Sequence, residues 1–352
     1  MLGEITAGQT CLAVAGTHGK TTTSSMIAHI LTESGIGCSA FLGGISKNYN
    51  TNMLMSLNPV VVAEADEFDR SFLQLNPAIA VITAMDADHL DIYGDLEHVQ
   101  EAFRKFASQV SETLIIKKGL NVGNVNARIY RYHVEDTTAD CYAKNIRLDE
   151  TGYYTYDLVY PGGVLEDIRV GVLGWVNIEN SIAAALACLC HGVDAQMVRR
   201  AIGSFKGAKR RLDVHVNEAG NTYIDDYAHH PAEIESSLSS VRKIFPGRKL
   251  TVIFQPHLYT RTRDFAADFA KALSLSDKLI LLDIYPAREE PIEGVDSSII
   301  FRDVTSPEKV MLRKTELMDY LKNEDTDILL TMGAGDIDRF IEPITALISN
   351  RK

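Results

Sequence analysis

The chain has 352 residues, 46% hydrophobic and 23% charged, which accommodates about two domains and excludes disordered and collagen-like proteins. Its net charge of -12 repels an extended polyphosphate, so no nucleic acid is expected as a partner, while small phosphorylated ligands remain open through local sites. The five cysteines (Cys11, Cys38, Cys141, Cys188, Cys190) lack paired spacing, and no apolar run reaches the roughly 18 to 20 residues of a membrane span; a reducing cytoplasm without membrane insertion is expected.

Strand-length apolar runs alternate with amphipathic ones, so the expected class is α/β with mostly parallel sheets. In chain order the first half predicts strands near 11–15, 60–63, 78–83 and 114–117 and helices near 21–33 and 96–110. From Cys141 to Val172, Tyr, Val and Leu alternate with polar residues between turn signals, predicting antiparallel hairpins attached to the parallel sheet. An Ala-rich helix over 177–190 follows. The polar, glycine-containing stretch from Gly203 to Arg211 is the expected boundary between a larger first α/β domain, 1–208, and a smaller, Rossmann-like doubly wound one, 209–352. The second domain predicts strands near 222–225, 249–254, 278–284, 310–313 and 327–331, with helices near 231–244, 261–273 and 336–348.

The segment Gly16, Thr17, His18, Gly19, Lys20, Thr21, Thr22 sits between a strand and a helix. Glycines let backbone amides converge on phosphate oxygens, a lysine reaches the β and γ phosphates, and a threonine hydroxyl can ligate magnesium. Val14 stands where the general pattern has its first glycine, so the loop is a shorter variant. A plain glycine turn with an exposed lysine is the alternative. With Lys20 read as an exposed loop lysine that acts on phosphate charge rather than in packing, Lys20→Ala is expected to abolish ligation with little loss of stability. At the end of the next strand Glu64 is the expected magnesium carboxylate, whereas Asp66, Glu67 and Asp69 read as a solvated acidic loop. His89, flanked by acids, is a candidate for a second cation, or a surface histidine paired with Asp88.

In the second half, the segment from Asp225 to Pro231 and that from Phe254 to Arg263 each place polar groups after a strand and before a helix, where open α/β sheets put ligands. The two arginines of the latter suit a carboxylate or phosphate. A capped helix with surface charges is the alternative for each.

Together the segments GTHGKTT, EADE, ADHLD, FKGAKRRLD, DDYAHHP, FQPHLYTRTRD, DIYPAREEPI and GAGDI resemble the Mur ligases along essentially the whole chain, and FQPHLYTRT and DIYPAREEPI resemble the alanine-adding branch. The resemblance implies ATP-dependent joining of L-alanine to the muramyl carboxylate of UDP-N-acetylmuramate through an acyl phosphate, in peptidoglycan precursor synthesis. It implies Lys20 and Thr21 for phosphate and Mg2+, Glu64 and His89 for cations, Arg211 and Asp226 around the transferred phosphate, and Asn177 and Asn180 on the nucleotide side. His229, His230, His257 and Arg261 become candidates for gripping alanine and the acyl group, with supporting structure as the alternative.

The chain departs from the family pattern G-R-H-N-x-x-N, having Trp175 and Val176 for the arginine and histidine, which implies apolar or stacking contacts to ATP there. Phe103 stands where several relatives carry a carbamylated lysine. The family's N-terminal UDP-binding domain of about 100 residues has no counterpart before the phosphate loop, as in a shortened gene or fragment; such a chain is expected to bind magnesium-ATP but to ligate poorly. Two rivals are a ligase that recycles whole peptides onto the muramyl sugar, and a nucleotide-binding module without ligase chemistry.

Overall fold

Apolar residues on both faces of Thr10–Ala15 make it a central strand, β1, of a parallel sheet, buried from Cys11 onward. A computed structural model describes residues 2–68, 70–86, 93, 95–218 and 220–350, and the chain divides into two units, Met1–Lys209 and Arg210–Lys352. The further strands of the first unit are β2 (Ser39–Ser46), β3 (Thr51–Leu54), β4 (Val60–Glu64), β5 (Ile79–Ile82), β6 (Thr113–Lys117), β7 (Arg128–His133), β8 (Cys141–Leu148), β9 (Tyr154–Tyr160) and β10 (Gly163–Arg169). They form one ten-stranded sheet in the order β10-β9-β8-β7-β6-β5-β1-β4-β2-β3. Neighbours from β2 through β8 run parallel, and hairpins close both ends: β8-β9-β10 at one, as expected, and β2-β3 at the other.

The helix Lys20–Glu33 follows β1 and packs against the Ala-rich helix Val176–Cys190. The helix Leu96–Ser108 is capped by Asp95, whose carboxylate accepts from the His98 amide at 2.9 Å. Its apolar stripe is buried, and Phe72 stacks on Phe106 with ring centroids 5.1 Å apart. Phe103 is buried edge-on against Phe72 at 5.4 Å; this is a core position rather than a site position here.

In the second unit β11 (Asp213–Glu218), β12 (Asn221–Asp226), β13 (Leu250–Phe254), β14 (Lys278–Leu282), β15 (Glu308–Leu312) and β16 (Ile328–Met332) form a sheet in the order β11-β12-β16-β13-β14-β15. All pairs are parallel except β11 with β12. The helix expected over 261–273 is two, Tyr259–Asp264 and Ala266–Leu273, meeting at Phe265, whose ψ of 19° leaves the helical region. The last expected helix opens with a 3-10 turn, Asp336–Phe340, before Ile341–Ser349. Among the described residues no helix is long and apolar enough to cross a membrane. In each unit the carboxyl ends of adjacent parallel strands share one edge, the edge at which ligands sit in open α/β sheets.

Candidate active site

At the carboxyl end of β1 the backbone passes through Gly16 (φ 138°) and Gly19 (φ 81°) into the helix Lys20–Glu33. A Cβ on Gly16 would lie 2.1 Å from Thr83 Oγ1 and one on Gly19 2.8 Å from Asn180 Oδ1, so conformation and space both require glycine. Thr83 donates to the carbonyls of Ala15 and His18. Thr17 Oγ1 accepts from the Asp86 amide at 3.2 Å, and His18 Nε2 lies 3.7 Å from the Asp86 carboxylate. The loop is thereby pinned from below, with the helix's first amides, which have no intrahelical acceptor, at its mouth.

Glu64, the last residue of β4, accepts from Thr21 Oγ1 at 2.9 Å, from the Gly43 amide at 2.7 Å and from Ser24 Oγ at 3.3 Å. A hydroxyl and a carboxylate oxygen side by side are hard donors of the kind Mg2+ takes, and one or two such ligands suffice because that ion keeps waters and phosphate oxygens as the rest of its shell. Among the described residues no group of three or more histidines, cysteines and acids is placed to hold a metal ion by itself.

Glu67 overturns the reading of its loop as solvated. Its side chain is 1% exposed, and both oxygens lie 2.8 Å from Lys20 Nζ, which also donates to the Gly16 carbonyl at 2.9 Å. Burial pushes the Glu67 carboxyl above the usual carboxylate range, with the Lys20 charge opposing. Lys20 is itself only 14% exposed, so the expectation of an exposed loop lysine is also corrected. Asp66 is exposed; Asp69 and His89 lie outside the described residues. The signal for Glu67 was its offset of three residues from a strand-ending carboxylate, which composition alone does not separate from a surface loop.

Thr22, in the first turn, is buried. Asn177 and Asn180 are buried too: Asn180 Nδ2 donates to Asn177 Oδ1 at 3.0 Å, and Thr23 Oγ1 donates to Asn180 Oδ1 at 3.4 Å. Both carboxamides thus brace the loop from behind. Trp175 packs edge-on against Tyr154 at 5.6 Å.

In the second unit Arg210 and Leu212 have positive φ (62° and 44°) on either side of Arg211. Arg210, which sequence reasoning passed over, donates to Asp225 at 2.9 Å and to the Gly333 carbonyl at 2.6 Å; Asp225 is fully buried and also accepts from Thr331 at 2.7 Å. The Arg211 guanidinium stands over the Tyr227 ring at 5.2 Å. Asp226 is buried and accepts from Ser237; burial pushes its carboxyl up to about 6.

His229 Nδ1 lies 3.0 Å from the Tyr227 carbonyl, with its ring 6.1 Å from that of His257. His257 stacks on Tyr285 at 5.8 Å, and its buried Nδ1 has no hydrogen-bond partner among the described residues. Burial, reinforced by His229 and Arg261, lowers His257 to about 4, and burial lowers His229. Both imidazoles are therefore neutral near pH 7 and sit within electrostatic reach of Arg261. His230 differs: its amide donates to Glu233 at the helix start and its ring packs edge-on against Phe265 at 5.0 Å, which favours the supporting role.

Residues 14–188 match the Mur ligase middle domain, and residues 210–335 match the Mur ligase glutamate ligase domain. The chain belongs to the Mur ligase family. Among Mur ligases, it is 51% identical to the UDP-N-acetylmuramate--L-alanine ligase of Parabacteroides distasonis over 354 aligned positions, covering 99% of this chain and 76% of that one. It is 46% identical to the enzyme of the same name from Porphyromonas gingivalis strain W83, covering 98% and 77%. The solved UDP-N-acetylmuramate-alanine ligase of Thermotoga maritima superposes with a TM-score of 0.79 at 27% identity, covering 96% of this chain and 76% of that one. A murein peptide ligase from Psychrobacter arcticus, with a TM-score of 0.65 and 21% identity over 98% and 78% of the two chains, shares the fold.

Proposed function

We propose that this Mur ligase forms the amide between L-alanine and the muramyl carboxylate of UDP-N-acetylmuramate at the expense of ATP, a cytoplasmic step of peptidoglycan precursor synthesis. The observation that carries the ATP half is the pairing at the end of β4, where one carboxylate holds the hydroxyl of Thr21 and a second holds the ammonium of Lys20. The acceptor half is supported by identity to alanine ligases running through both units.

In the proposed mechanism the loop from Gly16 to Thr22 cradles the phosphates, and Lys20 offsets charge as the muramyl carboxylate oxygen bonds to the γ phosphorus and the bond to ADP breaks. Mg2+, held through Thr21 and Glu64, would neutralise triphosphate charge. In the second unit Arg211, next to the anchored Arg210 and within electrostatic reach of Asp226, would supply positive charge for a phosphoryl oxygen. The alanine nitrogen then bonds to the acyl carbon, loses a proton and expels phosphate. Arg261 suits the alanine carboxylate, and the neutral His229 and His257 offer hydrogen bonds to the amine.

The test is ADP release with UDP-N-acetylmuramate and a panel of amino acids and peptides. It is run on this chain alone and on this chain joined to the part of the Parabacteroides distasonis relative outside the alignment. L-alanine is expected to give the highest kcat/KM. A preference for peptides would assign the recycling reaction, and ATP hydrolysis indifferent to every acceptor would assign a nucleotide-binding module.

A further inference from the structure

Lys20 has three N-H donors, and three acceptor atoms surround it at 2.8 to 2.9 Å: the Gly16 carbonyl and both oxygens of Glu67. A phosphate oxygen can therefore reach this ammonium only by taking a donor away from one of them. The Gly16 carbonyl belongs to the loop itself, and the loop's shape is fixed by the contact of Gly16 with Thr83. Glu67 is the partner that can yield. It is anchored by backbone: its carbonyl accepts from Tyr93 Oη at 2.6 Å and from the Arg70 amide at 3.0 Å, and the Arg70 guanidinium lies over the Tyr93 ring at 4.9 Å.

Resting on the reading of Lys20 as the phosphate lysine, we infer that Glu67 is a positioning residue that latches the phosphate loop. Its buried carboxylate stands in for a phosphate oxygen when no nucleotide is bound, holding the Lys20 ammonium at the loop and largely out of solvent. Nucleotide entry opens the latch and departure of ADP closes it. The latch costs affinity, because a state in which Lys20 is committed elsewhere does not bind and lowers the apparent affinity by the fraction still competent. Its return to the lysine speeds product release.

Calorimetric titration of wild type, Glu67→Gln, Glu67→Met, Lys20→Ala and the double variant Lys20→Ala with Glu67→Gln, each with magnesium and the β,γ-imido analogue of ATP, tests this. Gln keeps the shape and Met the volume, and thermal unfolding checks that each variant is folded. Removing the charge is expected to tighten binding of the analogue by about fivefold or more, the inverse of the competent fraction, and to slow ADP release. The tightening should vanish when Lys20 is already Ala. A residue that merely holds the loop together would weaken binding when replaced, so unchanged or weaker binding in both Glu67 variants overturns the latch, as does tightening that persists without Lys20. Unimpaired nucleotide binding by Lys20→Ala would instead sink the phosphate-lysine reading on which the latch depends.

Discussion

Replacing Lys20 by Ala removes the ammonium that pairs with the 1% exposed Glu67 carboxylate, and breaking a buried ion pair on one side is destabilising by about 3 kcal/mol. Lys20→Ala is therefore expected to lose stability as well as ligation, with Glu67→Gln restoring part of the stability but none of the turnover. Urea unfolding of the two single variants and the double variant measures this, and additive losses would show that the ion pair is energetically silent. At the neighbouring carboxylate, Glu64→Ala should weaken analogue binding with magnesium far more than without it, since hydroxyl and carboxylate are proposed to serve the cation; equal losses would make Glu64 structural. The strand-loop-helix around Gly16 and Gly19 was legible because glycine, lysine and threonine at fixed spacing after a strand are a strong local pattern. Glu67 and Arg210 were not, because the side chains that neutralise them, Lys20 and Asp225, lie 47 and 15 residues away, and pairing at such distances leaves no local pattern.

Elements announced themselves in proportion to how evenly they are buried. β1, β4, β5, β13, β14 and β16 are nearly continuous apolar runs, and the sequence predicts all of them. β2 and β7 alternate irregularly between buried and exposed positions, β3 is an exposed edge, and β11 shifts register between Val214 and Val216, so none carries a clean period. The missed strand β2 nevertheless shapes the site. Its parallel register with β4 covers only Ser39 to Phe41, and where the strands part, the Gly43 amide turns to Glu64 instead of to a strand carbonyl. A Cβ on Gly43 would lie 2.3 Å from Glu64 Oε1, a clash that a flexible side chain relieves by moving. Gly43→Ala should thus displace Glu64 with only a small stability loss and raise the magnesium concentration needed for half-maximal turnover; an unchanged magnesium dependence would show that Glu64 has room to adapt in place.

Across the whole molecule, the carboxylates displaced from their ordinary range fall into two groups with opposite effects on stability as pH changes. Near the surface, hydrogen bonds from the His98 amide to Asp95, from Arg242 to Asp277 and from Lys249 to Glu308 hold these carboxyls below their ordinary range, so what they contribute is present at neutral pH and fades on acidification. Burial lifts Glu67, Asp225 and Asp226 instead. Of these, Asp226 has no cation within hydrogen-bond distance among its described partners; around it stand Ser237, Arg211, Glu233 and Asp225. A carboxyl raised in the folded state binds its proton more tightly there than in the unfolded chain, so its relative contribution is greatest below the unfolded value of 3.8 and is lost as pH rises through about 6. Over that window the cost of ionising Asp226 inside the fold reaches on the order of 3 kcal/mol. Asp226→Asn keeps the size and an acceptor for Ser237 while removing the charge. Its stability relative to wild type should be near zero below pH 4, climb between pH 4 and 6, and level off as a gain above pH 7, while ligation falls because the residue beside Arg211 has lost its charge. Calorimetric unfolding of the 210–352 transition across that pH range gives the difference curve directly. A flat curve, or a loss of stability at pH 7, would mean that the attraction of Arg211 outweighs burial and that Asp226 is an ordinary ionised partner of that arginine.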